Sequence, residues 1–143
     1  MILVTGATGN VGREAVKRLL ERGAKAAAVT RRPAAAALPP ATHLVEADPS
    51  DPTTLESAMR GVEAILLSPR AVGKATRELM SLAASRGVAR VVVLSAATVQ
   101  FPAGERRFAE QFKAIEDAVM ASGLKWTMLR STDYASNALA WAA

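Results

Sequence analysis

The 143-residue chain has no cysteine, which excludes disulfides, thiol nucleophiles and Cys-ligated zinc or iron–sulfur sites. It has a single histidine, His43, too few for a multi-histidine metal site and a poor basis for a Ser-His-Asp triad. Aromatic residues make up only 4% of the chain, so no stacking platform for nucleic acid is interleaved with its charges. No apolar run approaches the roughly 20 residues that a membrane-spanning helix needs. Charge of one sign is also modest. Lys and Arg number 18 against 13 Asp and Glu, a formal +5. The basic residues are scattered apart from Arg31-Arg32 and Arg106-Arg107, a distribution that disfavours a nucleic-acid partner.

What is present is a globular composition, 50% hydrophobic and 22% charged. The length fits one compact domain over residues 1–143. The amino terminus, Met1-Ile2-Leu3-Val4-Thr5-Gly6, lacks a basic leader and reads as a buried strand running into a glycine loop. A soluble cytoplasmic protein is the expectation.

Short apolar runs alternate with segments of helical period. Strands are expected at Ile2–Thr5, Ala26–Thr30, His43–Glu46, Ala64–Ser68, Val91–Ser95 and Thr127–Arg130. Their continuous apolar character suits parallel strands covered on both faces. Val11, Ala15, Leu19 and Leu20 form one helical stripe, and Ala75, Leu79, Leu82 and Ala83 another. Gly23, Gly61, Gly87 and Gly123 each stand where a left-handed helix cap would fall. Asp51-Pro52 reads as an N-cap followed by a first-turn proline, and Gly73-Lys74 as the start of a helix. Strand and helix alternate five times, which predicts a doubly wound α/β fold: a parallel Rossmann sheet of about six strands with helices on both faces. Only Pro33–Ala41 reads as a flexible loop.

The most informative stretch is Val4-Thr5-Gly6-Ala7-Thr8-Gly9-Asn10-Val11-Gly12-Arg13. A strand runs into Gly6, Gly9 and Gly12, and a helix follows. In that setting the first glycine permits a tight turn and the second lets backbone approach a pyrophosphate. The third lets the helix pack on the strand, so that helix-start N–H groups face phosphate. The spacing is G-x-x-G-x-x-G, and no Lys-Ser/Thr pair follows, so it is not a Walker A loop. The bland alternative is a tight β-α turn that binds nothing.

Dinucleotide sites that bind NAD(H) place an acid near the second strand's end to hold the ribose 2′-hydroxyl. Here the sequence is Thr30-Arg31-Arg32, without an acid between Glu21 and Glu46. Two guanidinium groups suit a 2′-phosphate, so NADP(H) is favoured over NAD(H), although solvated arginines at a strand end would look the same.

These residues resemble the atypical short-chain dehydrogenase/reductases, specifically their NmrA-like NAD(P)H-binding branch. Thr5–Gly12 resembles that family's cofactor loop, and Val29-Thr30-Arg31 its second-strand ending. Ala47-Asp48 is similar to its adenine-flanking turn, and Leu66-Leu67-Ser68-Pro69 to the strand end beside the cofactor. Ser122–Arg130 resembles its sixth-strand entry, and Tyr134 with Asn137 its Tyr-x-x-Asn pattern. The resemblance implies cofactor contacts at Gly6, Thr8, Gly9, Asn10, Val11, Gly12, Arg31, Arg32, Asp48, Ser68 and Ser95. It further implies an NADPH-dependent reductase passing hydride to a quinone-like or other conjugated acceptor. The alternative is a sensor that binds NADP(H) without catalysis.

Two departures matter. The wider family carries a Tyr-x-x-x-Lys pair on the helix after the fifth strand, and register against Glu116 places Phe108 and Phe112 there. Both look like members of an apolar stripe with Ile115 and Val119, so no Tyr-Lys acid–base pair is assigned. Lys113 lies one residue off, about 100° around the helix. Family members also continue with segments that build the substrate pocket, so the chain resembles the nucleotide-binding half alone.

Other residues carry two readings. Asp48 either contacts adenine or forms an Asx turn before Pro49. Ser95 faces cofactor and substrate or caps a turn, and Tyr134 offers a phenolic proton or packs half-buried. His43 reads as structural. Trp126 and Trp141 would pack or cover a neighbour, and apolar surface left bare would favour a homo-oligomer.

Overall fold

The computed structural model describes residues 1–101 and 106–134. Six strands form one parallel sheet: β1 (Ile2–Val4), β2 (Ala26–Thr30), β3 (His43–Glu46), β4 (Ala64–Leu67), β5 (Arg90–Ala96) and β6 (Lys125–Ser131). Four helices accompany them: α1 (Asn10–Glu21), α2 (Pro69–Val72), α3 (Thr76–Ser85) and α4 (Arg106–Met120). The strand order is β3-β2-β1-β4-β5-β6, every neighbouring pair parallel. This is the doubly wound Rossmann arrangement. From β1 the chain winds outward to β2 and β3, then returns to β4 on β1's other side. That reversal opens a crevice at the carboxyl ends of β1 and β4.

Period-two alternation divides the core. Leu3, Ala27 and Val29 point to one face, where Ile65, Leu79, Met80, Val91, Val93, Ile115 and Val119 complete a cluster roofed by α3 and α4. Val4, Ala26 and Ala28 point the other way and pack with Ala7 and Val16 beneath α1. The stripe on α1 is therefore centred on Gly12 and Val16, both buried, with Leu19 and Leu20 only flanking it. A glycine in the centre of the buried face carries no apolar signal, which is why the sequence pattern sits to one side.

Three further expectations need correction. The β3–β4 connection contains only short 3₁₀ turns, at Pro52–Leu55 and Ser57–Met59, in place of the expected helix, whereas the β2–β3 connection, expected as a loop, holds a single 3₁₀ turn at Pro33–Ala35. Prolines at 33, 39 and 40 remove backbone donors and break any longer ladder in the β2–β3 connection. The edge strands are not covered on both faces: Leu44 on β3 and Trp126 and Leu129 on β6 are 41%, 48% and 49% exposed. An edge strand has one neighbour to pack beside, and the cluster beneath α1 draws on β1, β2 and β4 but on neither β3 nor β6. Phe108 is not core either, being 40% exposed, whereas Ile115 and Val119 of the same stripe are buried.

The local signals held. Gly23, Gly61, Gly87 and Gly123 all adopt φ between +71° and +78°. The Asp51 carboxylate accepts the Thr53 N–H at 3.1 Å, with Pro52 in the first turn. Gly73 opens a 3₁₀ turn that leads into α3. His43 is an exposed residue of β3. Among the described residues no helix is long and apolar enough to cross a membrane.

Gly12 is the tightest position. A Cβ there would lie 2.2 Å from the Gly6 carbonyl oxygen and 2.8 Å from the Ala7 Cα, all backbone that cannot step aside. At Gly123, by contrast, a Cβ would meet no atom within 4 Å, and only its φ of +77° opposes a side chain. Gly123→Ala should therefore cost about 1 kcal/mol of stability. Gly12→Ala should cost more, about 1–3 kcal/mol by overpacking, and distort the loop as well. Urea denaturation of both variants, with the loop's amide shifts followed by NMR, checks the contrast.

Candidate functional site

The crevice begins where β1 ends. Thr5 is fully buried, and its hydroxyl donates to the Leu66 carbonyl at 3.2 Å while accepting the Ser68 N–H at 2.8 Å. With the Thr5 N–H also donating to Leu66 O at 3.0 Å, this side chain locks the ends of β1 and β4 together. Gly6 follows at φ +64°, and a Cβ on it would sit 2.8 Å from Ser68 Cβ. Both the backbone angle and the lack of space demand glycine at that point. The Gly9 N–H returns to Gly6 O at 3.0 Å, which closes the turn and starts α1.

Gly9 caps α1 without any side-chain hydrogen bond, and the first turn holds no acid. The helix's positive end thus opens into the crevice with no side-chain cap from Gly9 and no acid in its first turn. Gly6, Gly9, Asn10, Val11 and Gly12 line a cleft of about 540 Å³ with Ser68, Ser95 and Tyr134. Thr8 lies instead beside a smaller hollow of about 270 Å³, with Arg31, Arg32 and Asp48. Gly6 and Arg70 border both, so the two spaces meet across the glycine loop. The structure thereby places every proposed contact residue on one of two adjoining hollows at the switch point. A crevice with a glycine cradle, a helix start facing it and two arginines at one end has the shape and charge for a dinucleotide.

In the hollow, Asp48 makes an Asx turn: its Oδ1 accepts the Ser50 N–H at 2.9 Å and the Ser50 hydroxyl at 2.7 Å. Those bonds, the hydroxyl foremost, hold its carboxyl below the usual range, and Arg31 adds a little. The Arg31 guanidinium stands 3.9 Å from Asp48 Oδ2, an exposed and loose pairing that leaves its other donors open. Both readings of Asp48 are therefore compatible with its position.

At the opposite end, Phe108 and Phe112 face each other with ring centroids 4.7 Å apart and planes tilted by 44°. They form an apolar wall of the cleft, beside the strand-end residues Ser131, Thr132, Asp133 and Tyr134. Tyr134 stands on that rim with 38% of its surface exposed, which is compatible with either of its readings. Lys113 points away, paired with Asp117 at 2.7 Å. Asn137 and Trp141 lie outside the described residues.

Ser95 borders the cleft but its hydroxyl is committed. It is buried and donates to Glu116 Oε1 at 2.5 Å. Glu116, 2% exposed, also takes a two-pronged pairing from Arg130, Nε to Oε1 at 2.9 Å and Nη2 to Oε2 at 2.6 Å. Strand alternation explains the direction: Ser95 follows Val91 and Val93 toward α4. Thr98 also stands at this end, and its hydroxyl oxygen is buried with no hydrogen-bond partner among the described residues. It lines the cleft. Thr98, Thr5 and Arg70 were not selected on sequence. The signal for Thr98 was its place just past a strand end. For Thr5 and Arg70 only the three-dimensional junction reveals the role.

The chain matches the NAD(P)H-binding family over residues 6–138, and it belongs to that family. Among curated proteins it is 35% identical over 143 residues to a (4-alkanoyl-5-oxo-2,5-dihydrofuran-3-yl)methyl phosphate reductase of Streptomyces griseus, and 32% identical over 148 residues to quinone oxidoreductase 2 of Escherichia coli. Those alignments cover 99% and 98% of this chain and 51% of each relative, so the chain spans about half their length. Among solved structures, the Escherichia coli NADPH-dependent quinone oxidoreductase complexed with NADPH superimposes with a TM-score of 0.82 at 30% identity, covering 99% of this chain and 52% of that one. Triphenylmethane reductase of Citrobacter sp., complexed with NADP(H), shares the fold with a TM-score of 0.79 at 22% identity, over 96% of this chain and 51% of that one.

The Arg130 guanidinium, chiefly, and the Ser95 hydroxyl hold the Glu116 carboxyl below its ordinary 4.5, against the opposing effect of burial. The unfolded chain therefore binds a proton before the folded one does as pH falls. Stability from this group is complete above its unfolded value and is lost as pH drops through the lowered folded value. Glu116→Gln should lower the urea midpoint at neutral pH and remove part of its decline between about pH 5 and pH 3. Denaturation curves at a series of pH values, wild type against variant, measure both effects.

Proposed function

We propose that the chain is the cofactor-binding part of an NADP(H)-dependent reductase of the NmrA-like type, whose acceptor is a quinone or another conjugated carbonyl compound. The observation that carries this reading is the crevice itself, with a glycine cradle at its middle, a guanidinium pair at one end and an apolar wall at the other. The relatives add to it: one is a quinone oxidoreductase, and the other's name describes a ring double bond conjugated to a carbonyl.

In this reading Gly6, Gly9, Asn10, Val11 and Gly12 bind the pyrophosphate through backbone N–H groups and the helix dipole. Arg31 and Arg32 hold the 2′-phosphate, and Asp48 and Thr8 border the adenosine. Phosphate is the stronger partner for Arg31, because its present contact with Asp48 is long and solvent-screened. Ser68, anchored through its backbone to Thr5, flanks the ribose side of the loop. Bound NADPH supplies a hydride from its nicotinamide C4, and the acceptor takes up that hydride with one proton. Phe108 and Phe112 exclude water from one side of the reacting rings. Thr98 offers an unpaired hydroxyl to the cofactor's amide, while Ser95 acts through Glu116 to hold the wall in place. No Tyr-Lys pair delivers the proton. Solvent at the open rim, where Tyr134 stands, is its source.

Calorimetric titration with NADPH and NADH in parallel tests the binding half. NADPH should bind at least about tenfold more tightly than NADH, and Arg31→Ala should erase most of that ratio. Equal affinity for the two nucleotides would remove the 2′-phosphate assignment. NADPH oxidation assayed with a panel of quinones tests the catalytic half. Binding without turnover above a Gly12→Ala control would favour the sensor.

A further inference from the structure

A second depression adjoins the cleft. It runs between α3 and α4, has a volume of about 730 Å³, and shares Pro69, Arg70, Phe108 and Phe112 with the cleft. The phenylalanine pair is thus a partition with one side toward the cofactor crevice and the other toward this groove. Its floor is apolar: Phe112 is partly buried, and Ile115 and Ala118 are buried. Its rim is basic. Arg70, Lys74, Arg77 and Arg107 border it, all exposed and none with a hydrogen-bond or ion-pair partner among the described residues. The contrast with the neighbouring surface is direct. Arg106 pairs with Glu110 and Lys113 with Asp117 on the same helix, so acids are spent on cations that face away from the groove. Among the described residues Glu110 is the one carboxylate on the groove's border, and it is paired with Arg106.

An apolar trough lined by unpaired cations matches an anionic amphiphile: an apolar body lies on the floor while an acidic head meets the rim. We propose that the α3–α4 groove binds the non-reacting part of the acceptor, and that the acceptor is a small molecule bearing a phosphate, sulfonate or carboxylate on an apolar body. Arg70 belongs to the crevice, the hollow and the groove alike, and it joins the cofactor's charge to the acceptor's. The acceptor part of this inference rests on the reductase reading; the groove's ligand class does not.

The test separates the two. The 143-residue chain is titrated calorimetrically with monodecyl phosphate below its micelle concentration, without nucleotide. Inorganic phosphate and the uncharged decyl maltoside serve as comparison arms. Lys74→Glu/Arg77→Glu reverses the rim, and Ala114→Phe fills the groove from an exposed helix position; circular dichroism verifies that both fold. The expected result is one site for decyl phosphate, at least tenfold weaker in either variant and for either comparison compound. Binding of the uncharged detergent as tightly as the phosphate would overturn the inference, as would unchanged binding in both variants. With NADPH present, a sulfonated naphthoquinone should be reduced with a higher kcat/KM than its uncharged parent, and the rim reversal should erase that ratio. A ratio of one in the wild type overturns the acceptor assignment. Absence of turnover with every quinone overturns the reductase reading alone, because the nucleotide-free titration still decides what the groove binds.

Discussion

The first turn of α1 lies directly on the Gly6 carbonyl, and the rest of the crevice depends on that approach. It is closer than any side chain at position 12 allows. Because the helix can come so near, its start faces the ends of β1 and β4 instead of standing off by a side chain's width. The Thr5 hydroxyl then ties those two strand ends to each other, so the loop is braced from both sides. A phosphate site built from backbone N–H groups needs this rigidity, since the donors must already converge before the anion arrives.

The far wall is positioned by a buried ion pair in addition to the packing of Ile115 and Val119 on the core. Glu116 is buried on α4 and reaches Ser95 on β5 and Arg130 on β6. Such a buried pair contributes little net stability over an apolar replacement, but breaking it is costly, so it defines one arrangement of the three elements. The helix so located carries Phe108 and Phe112 two turns and one turn before Glu116. Their position beside the crevice therefore follows from an ion pair that never touches a ligand. Met120 and Leu129, exposed beyond this network, show how little apolar cover the β6 edge has among the described residues.

The inner strands β1, β2, β4 and β5 were legible because parallel, buried strands write themselves as continuous apolar runs. The six expected segments match the observed ones to within two residues at each end. The glycine loop was legible because steric demands leave few alternatives to glycine. What stayed hidden was decided by contacts distant in sequence. Val16 outranks Val11 and Ala15 on α1 because Gly12 lets the helix touch the sheet there, and glycine carries no hydropathy. Phe108 fits the stripe that runs through Ile115 and Val119, yet its ring borders two depressions and stays exposed. Ser95 could be placed at a strand end, but its direction depended on the alternation with Val91 and Val93. Arg70 gave no local signal at all; its place at the meeting of three depressions exists only once β4 lies beside β1.

On the reductase reading, the same apolar wall explains why a proton donor can be absent. Reduction of an isolated ketone leaves an alkoxide, a strong base that must be protonated within the site. The family's Tyr-Lys pair suits that task. Hydride addition to a quinone or a doubly activated alkene instead leaves a delocalised anion, a far weaker base, which water can protonate after release. The requirement at the wall then changes from acidity to exclusion of water and contact with a flat ring. Two phenylalanines meet that requirement, whereas tyrosine and lysine would bring a buried charge to be compensated. Phe108 and Phe112 thus argue for a class of acceptor, one whose reduced form needs no acid beside it, rather than against chemistry.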